Sequence, residues 1–148
     1  MSETLGSLCD KLIITELKKL HSFDEIRITA IQERIIILQE ELDEFVEHAM
    51  QGKIAKNRLV VASNKVYNDS KFVPYDMSLQ IGGYICELSR INLELWKEQE
   101  KVYEFESVPV SLKDQVIHRL AQLNLERNEV IERIDLLFFN TIEPLLGD

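Results

Sequence analysis

The sequence predicts an all-α chain: two antiparallel helical hairpins forming a four-helix bundle, with a short extra helix. Three observations predict this. Apolar residues recur at steps of three and four along four long stretches, the spacing that keeps side chains on one helix face. Capping signals separate those stretches. Only three Pro and five Gly interrupt 148 residues, so few breaks divide the chain.

The first helix is expected from about Ser2 to His21, with Leu5, Leu8, Cys9, Leu12, Ile13, Leu17 and Leu20 on its buried side. Ser22-Phe23-Asp24-Glu25 reads as a capping box, with Ser22 as N-cap and Glu25 at the third helical position. The second helix carries the clearest stripe: Ile28, Ile31, Ile35, Leu38, Leu42, Phe45 and Ala49, with Gly52 as C-terminal cap. At some 27 residues it would be about 40 Å long. Ile36 and Ile37 fall off the stripe, so a second covering surface is implied.

Residues 51–75 change character. Lys53, Lys56, Arg58, Lys65 and Lys71 stand against Asp69 alone, whereas 24–50 set eight acidic side chains against Arg27 and Arg34. Ala55, Leu59, Ala62 and Val66 suggest a short helix ended by Asn68-Asp69-Ser70, with a loop through Pro74. Asp76 can cap a third long helix marked by Ile81, Tyr84, Leu88, Ile91 and Leu95, continuing through Val102 and Phe105. Val108-Pro109-Val110 breaks it. Ser111 with Asp114 signals a fourth helix over roughly 112–140, and Glu143-Pro144 opens a tail. The whole of 1–148 reads as one helical-bundle domain: hairpin 1 over about 2–50, the basic segment 51–75, and hairpin 2 over about 76–140. Leu5-Gly6-Ser7 and Ile81-Gly82-Gly83, 76 residues apart, open the two hairpins alike and suggest a weak internal repeat.

Composition narrows the function classes. A net charge of −9 disfavours nucleic acid and anionic membranes. No apolar run approaches the roughly 18–20 residues of a membrane span. Met1-Ser2-Glu3-Thr4 lacks the start of a signal peptide, so the expected location is cytoplasmic. Cys9 and Cys86 both lie in apolar helical contexts and read as free buried thiols. His21, His48 and His118 follow Lys18, Phe45 and Gln115 by three residues, so the Glu-x-x-His pairs of a di-metal bundle are missing. No Gly-rich phosphate loop, paired zinc ligands or nucleophile context occurs. Neither a metal nor a cofactor is called for. Glu41 and Glu44 could form half of a magnesium site like that of all-α nucleotide pyrophosphohydrolases, but the next segment supplies no second acidic pair. The basic segment, with Tyr67 and Phe72, is better read as pairing with the acidic helix than as a nucleic-acid patch.

Polar residues inside apolar stripes are the sharper signal. On the fourth helix Leu120, Leu123, Arg127, Val130, Ile134 and Leu137 share a face, and Arg127 is the one misfit. A guanidinium cannot shed its charge, and burying it unpaired costs several kcal/mol. Asn124 lies one turn before it and Asp135 two turns after. Asp10 and Lys11 interrupt the first helix. Asn92 sits beside Ile91 on the third, with Trp96 one turn on. These seven residues form either a structural network that fixes helix register or a polar pocket in which Arg127 and Lys11 hold a phosphate or carboxylate.

The same stretches carry a resemblance. Gly6-Ser7-Leu8-Cys9-Asp10-Lys11-Leu12-Ile13-Ile14-Thr15-Glu16-Leu17-Lys18 is similar to the G-E-L-I-D-K-L-T-I-L-E-I-K opening of a family of small uncharacterised bacterial proteins. Asn92-Leu93-Glu94-Leu95-Trp96 resembles its N-x-x-L-W. Asn124-Leu125-Glu126-Arg127 with Val130, Ile134 and Asp135 resembles its N-x-x-R-x-x-[IV]-x-x-x-I-[ND]. The chain departs at Ser7, where the pattern has Glu, and in its basic segment. The family is often encoded near glycosyltransferases, which implies a role in surface-glycan assembly. Related sequences in tailed phages imply a different setting.

The leading expectation is a non-catalytic cytoplasmic interaction or accessory protein, a homodimer through surplus apolar surface at Ile36, Ile37, Leu136 and Phe139, with a protein partner. The alternative is a binding protein or enzyme for a small phosphorylated ligand, a nucleotide or sugar phosphate. A metal-dependent pyrophosphohydrolase is the third.

Overall fold

The computed structural model describes residues 3–60 and 79–146, and among them the chain is all-helical. In chain order come α1 (Leu5–Leu20), α2 (Glu25–Met50), the short α3 (Lys56–Leu59), α4 (Ile81–Tyr103), a 3-10 turn (Phe105–Ser107) and α5 (Val110–Leu146). The expected stop at 68–70, the loop through Pro74, Tyr67, Phe72 and the cap Asp76 lie outside the described residues, as does the side chain of Phe105.

Local chemistry sets the ends. Thr4 caps α1 in a reciprocal box with Ser7: its hydroxyl accepts from the Ser7 N–H, and the Ser7 hydroxyl accepts from the Thr4 N–H. Asp24, not Ser22, caps α2, its carboxylate accepting from the Ile26 N–H at 3.1 Å. Ser22 instead donates its hydroxyl to the Lys18 carbonyl and closes α1. Both residue types cap well, and the two extra residues are what the chain uses to reverse. Gly52 adopts φ +73°, a conformation that favours glycine. The Gly52 N–H then donates to the Ala49 carbonyl and the Lys53 N–H to the His48 carbonyl, a Schellman stop for α2.

Two boundaries depart from expectation on α5. It begins at Val110, directly after Pro109, whose carbonyl accepts from the Leu112 N–H; Ser111 is already inside the helix. It also runs through Pro144 to Leu146. A proline near a helix end removes one hydrogen bond without forcing a stop when the following residues still find carbonyls.

α1 packs against α2, and α4 against α5. α1 also touches α4 and α5, while α3 lies on α5. The core joins Leu5 and Cys9 of α1, Leu88 and Ile91 of α4, and Leu123, Ile134 and Phe138 of α5, with Leu59 of α3 fully buried beneath them. On α2 only Ile35, Leu38 and Ala49 are buried; Ile36 and Ile37 remain 46% and 44% exposed, so no described part of the chain covers them. Leu136 and Phe139 are half-buried. Three expected core positions are exposed. Leu20 ends α1 beyond its packing, Val102 sits where α4 projects past the first turn, and Cys86 points away from the core face of α4.

The paired helix starts are equivalent in position but not in packing. α1 opens at Leu5 and α4 at Ile81. A β-carbon on Gly6 would lie 2.6 Å from the Ile131 carbonyl oxygen and 2.9 Å from the Asp135 carboxylate, whereas one on Gly82 would meet nothing within 4 Å. Gly6→Ala is therefore expected to destabilise the fold by about 1–3 kcal/mol, because backbone must move to admit a methyl group. Gly82→Ala should be neutral or gain up to about 1 kcal/mol from helix propensity. Urea unfolding of the two variants checks the contrast.

Candidate functional site

The seven polar residues divide between two clusters and the surface. The first cluster centres on Asp135, which is 3% exposed. Its carboxylate accepts from the Gly6 N–H at 2.7 Å and from the Thr4 hydroxyl. This places a negative group on the free N–H groups and positive end of α1, where helices favour anions. Gly6 is what lets the α1 backbone come that close. Burial pushes the Asp135 carboxyl up to about 6; the bonds from Gly6 and Thr4 oppose the rise, and nearby Glu132 adds to it.

The second cluster lies one turn along α1. Asp10 accepts from the Asn92 side-chain amide at 2.8 Å, and the same amide nitrogen donates to the Leu88 carbonyl at 3.0 Å. Burial pushes the Asp10 carboxyl up, opposed by the Asn92 bond and the positive charge of Arg127. Arg127 is half-buried, and its Nε is enclosed without a hydrogen-bond partner. Its tie to Asp10 is thus through charge and not through a bond. Asp135, the carboxylate two turns along the same helix, is spent on α1 and does not pair with Arg127. Asn124 turns back to the Leu120 carbonyl of its own helix. Between the two clusters sits Cys9, whose thiol is pushed up to about 11 by burial and by the charges of Asp135 and Asp10.

Lys11 and Trp96 face outward. Lys11 pairs with Glu3. Trp96 stacks on His21 with ring centroids 4.7 Å apart and donates its indole N–H to Glu100 at 3.0 Å. His21 in turn places Nδ1 2.8 Å from the Leu17 carbonyl, which makes that nitrogen the donor. Both residues line surface cavities. Lys11 joins Lys18, Arg27 and Arg34 along a groove of about 410 Å³ between α1 and α2. Trp96 joins Lys18, His21, Phe23 and Arg27 in a hollow of about 230 Å³ at the α1–α2 turn.

Glu41 and Glu44 do share a cavity, with Glu3, His48, Lys53 and Arg58. Among the described residues no group of three or more His, Cys, Asp or Glu has an arrangement that could hold a metal ion. No described helix is long and apolar enough to cross a membrane. Of the groove cations an apolar stripe marks Lys11 alone; the sequence signal for the rest is spacing, since Lys11/Lys18 and Arg27/Arg34 are each seven residues apart. Comparison with known proteins finds no matching family model, no similar curated protein and no similar solved structure.

Two outcomes follow from the clusters. A folded-state carboxyl value near 6 against an ordinary 3.8 means that the native state binds the Asp135 proton more tightly. The stability it contributes is full below the ordinary value and lost as pH rises through about 6, on the order of 3 kcal/mol in all. Asp135→Asn should flatten that part of the pH profile in denaturant titrations. Asn92→Ala strips Asp10 of its donor and should cost about 1–3 kcal/mol in the same assay, since an unsatisfied buried acceptor remains.

Proposed function

We propose that the chain is a non-catalytic helical interaction protein, a cytoplasmic homodimer that acts as accessory to a protein partner. Its four long helices would form a four-helix bundle of two antiparallel hairpins. The observation that carries this reading is where apolar surface is left exposed. Leu20, Phe23 and Ile26 flank the α1–α2 turn, and Val102, Tyr103, Val110, Leu112 and Ile117 flank the α4–α5 turn; these are eight of the fifteen exposed large apolar residues among those described. Phe23 and Tyr103 are 94% and 88% exposed.

The two turns lie toward one end of the molecule. The His21–Trp96 stack sets the first turn against α4, and α4 continues seven residues to Tyr103, roughly 10 Å beyond. Between the projecting ends of α4 and α5 a cavity of about 520 Å³ is floored by Val108, Pro109, Leu112 and Val116. Apolar surface gathered in this way marks protein contact. The likeness to a family encoded near glycosyltransferases favours an enzyme of that kind as partner.

A second reading, binding of a small phosphorylated ligand, is supported by Lys18 and Arg27 beside Trp96 in one hollow. A thermal-shift series with nucleotides and sugar phosphates tests it, since a ligand of the native state raises apparent stability.

For the leading reading the measurement is sedimentation across a concentration series. A dimer is expected. Phe23→Ser combined with Val110→Ser should shift it toward monomer with the helical circular-dichroism spectrum unchanged. A wild-type chain that stays monomeric at every concentration overturns the homodimer, and an unshifted variant overturns the turns as its seat.

A further inference from the structure

The groove between α1 and α2 is lined by cations alone among its charged residues, on a chain whose net charge is −9. Lys11 and Lys18 stand on the α1 wall, Arg27 and Arg34 on the α2 wall, and Ile14, Ala30, Ile31 and Leu38 form the apolar floor. Each pair is seven residues apart, two helical turns or roughly 10 Å. Lys18 and Arg27 also share the hollow at the turn, so they stand level across the groove, and Lys11 and Arg34 make the second rung. Lys11 already holds Glu3. The side chains of Lys18, Arg27 and Arg34 make no hydrogen bond or ion pair among the described residues.

We infer that this groove docks an acidic amphipathic helix of a partner protein. A channel between two packed helices is the natural seat of a third, at interaxial distances of about 8–10 Å. Cations at seven-residue spacing on both walls correspond to the flanking positions that select partners in coiled coils, where carboxylates at the same spacing answer them. The apolar floor then receives the seam of the incoming helix. A small anion spans one rung and leaves the floor wet. An extended polyanion such as nucleic acid runs out of the all-cationic groove into a neighbouring cavity of mixed charge, where Glu3, Glu41 and Glu44 stand beside Lys53 and Arg58. The partner segment therefore carries an apolar seam flanked on both sides by Asp or Glu over about two turns. This inference rests on the reading of the chain as an interaction protein, but it uses a surface separate from the exposed apolar turns.

The probes are two synthetic helical peptides with the same apolar seam, one with Glu at both flanking positions and one with Lys there. Binding to the full chain is read by fluorescence anisotropy at low and high salt. The Glu peptide should bind saturably and more weakly as salt rises, and the Lys peptide should not bind. The variant R27E/R34E should weaken the Glu peptide about tenfold or more, since it reverses one wall of both rungs. The milder R27Q/R34Q should weaken it less, and both arginines are exposed, so the helical spectrum should stay intact. Equal binding of the two peptides, or indifference to both variants, overturns the inference. So does displacement of the Glu peptide by low concentrations of inorganic pyrophosphate, which would mark a small-anion site. A monomeric chain that binds the Glu peptide overturns the homodimer and leaves this inference standing; a dimer that ignores the peptide does the reverse.

Discussion

The Asp135 carboxylate on the first turn of α1 holds the arrangement together. α1 touches α2, α4 and α5, so fixing α1 goes far toward fixing the relation of the first two helices to the last two, with a smaller direct contact between α2 and α5 beside it. Apolar packing alone is tolerant of small slides along the axis. A buried carboxylate that must reach the Gly6 N–H and the Thr4 hydroxyl together is not, because a shift of one residue leaves a charge without donors. The close approach in turn demands glycine at position 6. Thr4 and Gly6 near one end of the chain and Asp135 near the other thus set the height of α1 on α5.

The Asp10–Asn92 bond does for α4 what Asp135 does for α5. Two polar ties, one to each helix of the second pair, leave α1 little freedom to rotate or slide. Cys9 lies between them in a field of negative charge and low polarity, and its thiol is accordingly kept protonated. Arg127 contributes charge to the second tie without a bond of its own. Its long stem can cover apolar surface while its head balances Asp10, which is how a guanidinium comes to occupy a hydrophobe's place.

Much of the helical layout was legible because burial at a 3.6-residue period looks the same in any helical chain. Leu88, Ile91 and Leu95, or Ile35 and Leu38, need no knowledge of what they pack against. Helix ends were less legible. Ser22 and Asp24 are equally good caps, and only the path of the reversing chain chooses between them. Exposure near the ends is hard to read for a related reason: Leu20 and Val102 continue their stripes but fall in the last turns of α1 and α4, where the side chains are exposed. The polar residues were found as misfits, yet their pairings were not. Asp135 and Arg127 are two turns apart on α5, which suggests partnership, but α1 meets the first at Gly6 and brings Asp10 toward the second. The basic groove is not legible in either helix alone, because its cations become one surface only when α1 and α2 are side by side.

The two cysteines carry a practical consequence. Cys9 is enclosed, protonated and near the carboxylates of Asp10 and Asp135, while Cys86 stands in solvent on the outer side of α4. Thiol reagents that need an open thiolate will modify the folded chain at a single place, away from the residues that line the α1–α2 groove. The molecule therefore comes with its own attachment point for a dye or spin label. It also follows that air oxidation can join two chains through Cys86 but cannot close a bridge within one, so a covalent pair formed on storage is to be separated from any association of native surfaces by adding a reductant.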